Sequence, residues 1–161
     1  RANISRSRKT TKRDKDFCPA NHRDLIDFTV ASGLRRCELR RCRVRDVIVG
    51  RDGRVWVRVP KGKGGRRRMV SVLEEDRELV LGLVTGRPRA ERLFASVPSH
   101  CNTHAFRREA AQRRYVKLSG RPLPQSEGML QLGDYDKAAV MEVSRFLGHN
   151  RRDVVLGHYI R

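Results

Sequence analysis

The sequence predicts an α+β domain, mostly helical, with one small three-stranded antiparallel sheet. Three observations carry that expectation. A single valine-rich zone between residues 44 and 72 alternates apolar and basic residues between glycine turns. On both sides of it, apolar residues recur at helical spacing. The length, 161 residues, suits one domain with one sizeable core.

Taken in order, residues 1–20 are polar and basic with almost nothing to bury, and read as a basic arm or linker stub. The folded domain is expected over 21–161. A helix should start at Asn21, a residue able to cap it, with Leu25, Ile26, Phe28 and Val30 as its apolar stripe and Gly33 as its stop. A second, short helix is expected over 35–41. Residues 44–49 are then rich in Val and Ile, and Gly50-Arg51-Asp52-Gly53 is turn material. Val55, Val57 and Val59 alternate with Arg54, Trp56 and Arg58. Gly62, Gly64 and Gly65 make another turn before a third strand over 69–72. Such a meander has one apolar and one basic face, and its basic turn points at something negative. Helices follow from Leu73 through Val84, over 104–118, over 137–147 and, as a last short one, within 150–161.

Lys plus Arg total 37 against 18 Asp plus Glu, a formal charge of +19. So large an excess opposes compaction unless a polyanion relieves it. Nucleic acid is the expected partner, because cationic side chains displace counterions from phosphates. No apolar run approaches the ~20 residues of a spanning helix, and no basic amphipathic anchor stands out. No membrane association and no signal peptide are therefore expected, and the site of action is read as cytoplasmic and nucleoid-associated. Cys18, Cys37, Cys42 and Cys101 form no C-x-x-C pair and read as reduced structural thiols. No acidic cluster has Mg²⁺ spacing, so neither metal nor other cofactor is expected.

Four separated stretches carry the chemistry. They are Gly33-Leu34-Arg35-Arg36-Cys37-Glu38-Leu39, the turn from Lys61 to Val70, His104-Ala105-Phe106-Arg107, and Leu147-Gly148-His149, with Tyr159 ten residues further on. In order, spacing and wording they resemble the catalytic domain of the tyrosine recombinase family, the phage-type integrases. That family shows G-L-R-x-x-E, a lysine in a β-turn, an H-x-x-R helix, L-G-H, and a tyrosine shortly after. The resemblance runs from about Asn21 to the end. Each motif alone is weak, and five in the right order are specific.

The resemblance implies a tyrosine recombinase catalytic-domain-like fold and site-specific DNA recombination, read as integration or excision of a mobile element. It also implies a tetramer on double-stranded DNA and no small-molecule substrate. Arg35 and Arg107 would clamp the scissile phosphate, Lys63 would be the turn lysine, His104 and His149 the two histidines, and Tyr159 the nucleophile forming a 3′-phosphotyrosine. Glu38 would orient the first arginine. Lys61, Arg66, Arg67, Arg68, Arg108, Arg151 and Arg152 are assigned to DNA contact. His158 is not counted as catalytic, Tyr115 is expected in the core, and Tyr135 lies in a Gly-rich loop.

Elementary chemistry fits these roles. Two planar, permanently charged guanidiniums suit the charge that spreads over non-bridging phosphate oxygens. His104 and Arg107, three apart on a helix, can reach one phosphate. A lysine on a glycine turn can follow the scissile position and protonate the leaving oxygen. A phenol, which ionises near pH ~10 in water, needs a nearby base and positive charge to attack at neutral pH. Lys61 competes with Lys63, but counting back from Met69-Val70-Ser71-Val72 favours Lys63. The charged run Asn150-Arg151-Arg152-Asp153 departs from the small polar residues many members carry after L-G-H. The family's N-terminal DNA-clamping domain is expected to be absent, and the helix after Tyr159 short. Two other readings compete: a type IB topoisomerase, and a basic nucleic-acid-binding module without chemistry. The second does not explain the ordered series of Arg, Lys, His, Arg, His and Tyr.

Overall fold

The structure is a computed structural model that describes residues 18–99, 101–125 and 128–160. Most of the arm expected over 1–20 lies outside the described residues. Pro19 opens a 3-10 helix over Pro19–His22, and helix α1 follows at Arg23–Ser32. Asn21 is therefore inside the 3-10 turn and does not cap the helix as expected. His22 holds the cap position, and its side chain makes no capping hydrogen bond to the helix. α1 ends where the sequence predicts, at Gly33, in the left-handed conformation with φ 61°. A side chain there fails twice, because a Cβ would lie 2.6 Å from Phe146 Cε1.

A single turn, α2 (Arg36–Leu39), comes next. The sheet then starts later than the valine pattern suggests. Val44–Asp46 is a 3-10 turn, because the Asp46 carboxylate accepts the Arg43 backbone N–H at 2.9 Å and bends the chain. Strands β1 (Val47–Val49), β2 (Val55–Val59) and β3 (Arg68–Ser71) form the predicted antiparallel meander in the order β1-β2-β3. Val57 pairs with Val47 on one side and Val70 on the other. Val55, Val57 and Val59 are buried while Arg58 is exposed, so the expected two-faced alternation holds. The helix expected from Leu73 begins instead with a 3-10 turn at Glu74–Asp76 and becomes α3 at Arg77–Gly82.

Two longer helices build the other layer. The Asn102 side chain caps α4 (Thr103–Ser119) through the Ala105 N–H, and Asp136 caps α5 (Lys137–Leu147) through the Ala139 N–H at 2.8 Å. A short α6 (Arg152–His158) is the last helix among the described residues. α4 packs between α1 and α5, α6 lies on α5, and β3 joins the sheet to α5. Phe28, Val57, Val70, Tyr115, Val143 and Leu147 are fully buried between these layers. Tyr115 is a core residue, as expected, and its hydroxyl accepts the Asp136 N–H at 3.0 Å. No helix among the described residues is long and apolar enough to cross a membrane.

The buried face of α4 is unusual in composition. It presents Thr103, Arg107, Ala110, Ala111, Arg114 and Tyr115, so two guanidiniums occupy core positions. Arg114 stacks 3.9 Å over the Phe146 ring and donates to Ser71 Oγ at 2.8 Å, tying the sheet to both long helices. Burial brings its pKa down to about 10. Arg107 belongs to the site described next.

Candidate active site

The site is built outward from Glu38, whose side chain is 1% exposed. Its Oε2 accepts the Arg35 backbone N–H at 2.8 Å, which starts α2, and its Oε1 meets Arg35 Nη1 at 3.2 Å. Arg68 takes the same carboxylate with both prongs, Nη1 to Oε1 at 2.7 Å and Nη2 to Oε2 at 2.8 Å. Burial opposes ionisation of Glu38. The Arg68 hydrogen bonds, the Arg35 N–H and the charges of both arginines outweigh it and hold the carboxyl below its usual range. Arg35 is left partly exposed, its Nη2 facing the Gly148 carbonyl at 3.5 Å.

Arg107 is 2% exposed and lies beneath the Tyr159 ring. Nη1 donates to the Gly33 carbonyl and Nη2 to the Leu147 carbonyl at 3.3 Å. These are the last carbonyls before Leu34-Arg35 and before Gly148-His149, so one guanidinium fixes the C-terminal ends of α1 and α5 relative to α4. Burial pulls its pKa below the ordinary guanidinium value, yet an arginine stays charged at neutral pH.

Tyr159 sits over Arg107 and is 3% exposed. Its ring centroid is 5.9 Å from the Arg107 guanidinium carbon, 6.4 Å from the His104 ring and 5.7 Å from the His149 ring. The phenol oxygen lies 3.4 Å from His149 Nε2. The following residue, Ile160, is fully buried and pins the backbone beyond the tyrosine.

His149 follows the α5 cap Gly148, which is left-handed at φ 75°. Its N–H donates to the Ser144 carbonyl at 2.9 Å. The buried Ser144 hydroxyl accepts the Arg151 N–H at 2.8 Å and donates to the Arg151 carbonyl, stapling the loop. Loss of water, and then the charges of Arg35, Arg107, Lys63 and Arg68, push the His149 pKa down to about 4. It is therefore neutral at pH 7, with a ring nitrogen that can accept a hydrogen bond from the phenol. His104, on the first turn of α4, is shifted the same way, by desolvation and then by Arg107, Arg108, Arg35 and His158.

The structure thus brings Arg35, His104, Arg107, His149 and Tyr159 into one basic cluster. Lys63 stands at its edge, exposed in the 3-10 turn Lys63–Gly65, close enough for its charge to act on His149. Lys61, Arg66 and Arg67 are exposed on the same turn. Arg108 donates to the His158 carbonyl at 3.1 Å, Arg151 pairs with Asp153, and Arg152 is exposed. Arg68 departs from its expected place among the phosphate ligands, because its guanidinium is turned inward onto Glu38 and its side chain is 14% exposed. Motif reading did not find the roles of Arg68 and Ser144. The only signal for Arg68 is its alternation with Val70 on β3, which puts both on one face.

No family model matches the sequence, and no curated protein matches it. Among solved structures, the fold is similar to that of a site-specific recombinase, XerH, crystallised bound to palindromic difH substrate as a post-cleavage complex. The TM-score is 0.51 at 16% identity over 96% of this chain. The chain spans 46% of the length of that recombinase.

Proposed function

We propose that the chain is the catalytic domain of a tyrosine site-specific recombinase that cuts and rejoins double-stranded DNA. The observation that carries this reading is the seating of Tyr159 against His149 and Arg107, with Arg35 close enough for its charge to act on His149. The Tyr159 oxygen attacks the scissile phosphorus, and its proton passes to His149, whose proton affinity rises once the phosphate charge offsets the neighbouring cations. The bond from phosphorus to the 5′ oxygen breaks, and Lys63 protonates the leaving oxygen. The product is a 3′-phosphotyrosine and a free 5′ hydroxyl. The phosphodiester energy is kept in the covalent bond, so the reverse attack by another 5′ hydroxyl joins strands without a nucleotide. Arg35 and Arg107 neutralise the charge that spreads over the non-bridging oxygens, in positions set before DNA arrives. His104 lies beside the phenol as a second donor to the phosphate.

Exposed Lys61, Arg66, Arg67 and Arg152 hold the flanking phosphates. A tetramer on DNA, working in the cytoplasm to integrate or excise a mobile element, completes the reading. The test is a mixed pool of nicked duplexes incubated with the protein, denatured and digested with nuclease. Mass spectrometry should find a nucleotide esterified to Tyr159, and none in Tyr159→Phe. An adduct that survives in Tyr159→Phe would overturn the assignment of the nucleophile.

A further inference from the structure

We propose that Arg68 is a positioning residue of this site: by satisfying Glu38 it leaves the charge of Arg35 available to a bound phosphate. The proposal rests on the reading above, in which Arg35 faces that phosphate.

Three observations support it. Glu38 gives both oxygens to Arg68, at 2.7 and 2.8 Å, and only a longer contact of 3.2 Å to the Arg35 guanidinium. A two-pronged pair of this kind is the strongest neutraliser a carboxylate can have. The three groups together carry one net positive charge, and geometry assigns that surplus to Arg35. Without Arg68 the sum is zero. A carboxylate with a side chain 1% exposed cannot remain uncompensated, so Arg35 would be drawn onto it and away from the pocket.

The second observation is where the Arg68 guanidinium lies. A Cβ on Gly62 would come within 3.0 Å of its Nη1, and a Cβ on Gly148 within 3.2 Å of its Cζ and Nε. Gly62 immediately precedes Lys63, and Gly148 immediately precedes His149. The Arg68 guanidinium therefore lies against both loops that deliver those residues, and a side chain at either glycine would crowd it. The third observation is that Arg68 Nε is buried without a hydrogen-bond partner. A donor left unsatisfied costs stability, so this site keeps the orientation of Arg68 at some expense to the fold. The neighbouring Arg66 and Arg67 are exposed and do not share the task.

Charge balance separates this role from simple packing, and inorganic phosphate is a sufficient probe. Phosphate is titrated at fixed pH and ionic strength and followed by the His149 ring resonances, which are identified by their loss in His149→Asn. Arg68→Met should weaken binding about tenfold or more. Glu38→Gln removes the negative charge and should bind phosphate more tightly than the natural protein. The double variant Arg68→Met with Glu38→Gln should recover to within about threefold of it. The His149 pKa should also rise in Arg68→Met, since one of the charges holding it down is gone.

If folded Arg68→Met binds phosphate as the natural protein does, or if the double variant stays as weak as the single one, the proposal is overturned. Should Arg68→Met fail to fold, Glu38→Gln and the double variant decide. Packing alone predicts that both bind worse than the natural protein. Failure of phosphate to perturb His149 in the natural protein would remove this proposal and the phosphate pocket together. A missing Tyr159 adduct, with the phosphate pattern intact, would count only against the cleavage reading.

Discussion

His149 draws its low proton affinity from its surroundings, and that makes it testable through stability as well as catalysis. The folded imidazole has a pKa of about 4, whereas an unfolded histidine titrates near ~6.5. Between those values the unfolded chain binds a proton that the folded chain refuses. The contribution of His149 is therefore fully present above pH ~6.5 and is lost as pH falls toward 4. Urea midpoints measured from pH 7.5 to 4.5 should fall more steeply in the natural protein than in His149→Asn. Equal slopes would mean that His149 is not held neutral by this pocket. Arg107 carries a different kind of weight, since it bonds the Gly33 and Leu147 carbonyls from a fully enclosed position. Arg107→Ala strands both carbonyls and opens a cavity, and should cost about 2–4 kcal/mol by denaturant unfolding. A loss under about 1 kcal/mol would show that the helix ends hold together without it. Of this residue-scale picture, the sequence made Arg107 legible because His104 precedes it by one turn in an H-x-x-R motif. It did not reveal the partnership of Glu38 with Arg68. The two lie thirty residues apart, and alternation with Val70 alone does not point Arg68 toward Glu38.

At the scale of elements, long periodic patterns were legible and single-turn starts were not. The valine alternation of β2 and the apolar stripe of α5 bury side chains every second residue or every turn, so burial itself writes them into the sequence. The 3-10 turns at Pro19–His22, Val44–Asp46 and Glu74–Asp76 depend on one local bond or one proline, which hydrophobic pattern does not encode. Asp46 shows the difference. Its carboxylate takes the Arg43 N–H and then both prongs of Arg58, and this turns a run that reads as strand into a corner. Gly33 is the element boundary on which the site depends most, because it ends α1 and launches Arg35. Gly33→Ala must accept φ 61° and place a methyl 2.6 Å from the Phe146 ring. Left-handed strain and overpacking together should cost about 2–4 kcal/mol. The same change at Gly120, also left-handed at φ 64° but with nothing within 4 Å, carries only the first cost, about 1–2 kcal/mol. Thermal unfolding of the two variants checks the ordering. Equal destabilisation would mean that Phe146 moves aside, and that the α1–α5 junction is softer than its packing suggests.

Across the whole molecule, the question is whether +19 acts as a diffuse cloud or through one face. The meander provides an internal control, because its two hairpin turns lie at opposite ends of β2. Lys61, Arg66 and Arg67 sit at the end beside the pocket, and Arg51 and Arg54 sit at the other. The five residues of β2 separate the two ends by roughly 15 Å, more than the Debye length of about 8 Å at physiological salt. Binding to a generic duplex should weaken with salt in proportion to the phosphates neutralised. If DNA lies across the pocket, replacing Lys61, Arg66 and Arg67 with alanine should reduce the slope of log affinity against log salt by about 2–3, nearly one per lost contact. Replacing Arg51 and Arg54 should leave that slope almost unchanged, though a small uniform loss of affinity follows from the lower net charge. Titrations between 50 and 200 mM salt resolve the two cases. Equal slope losses per charge at both ends would show that the duplex is held by the overall charge. Orientation over Tyr159 would then have to come from the pocket-lining arginines alone.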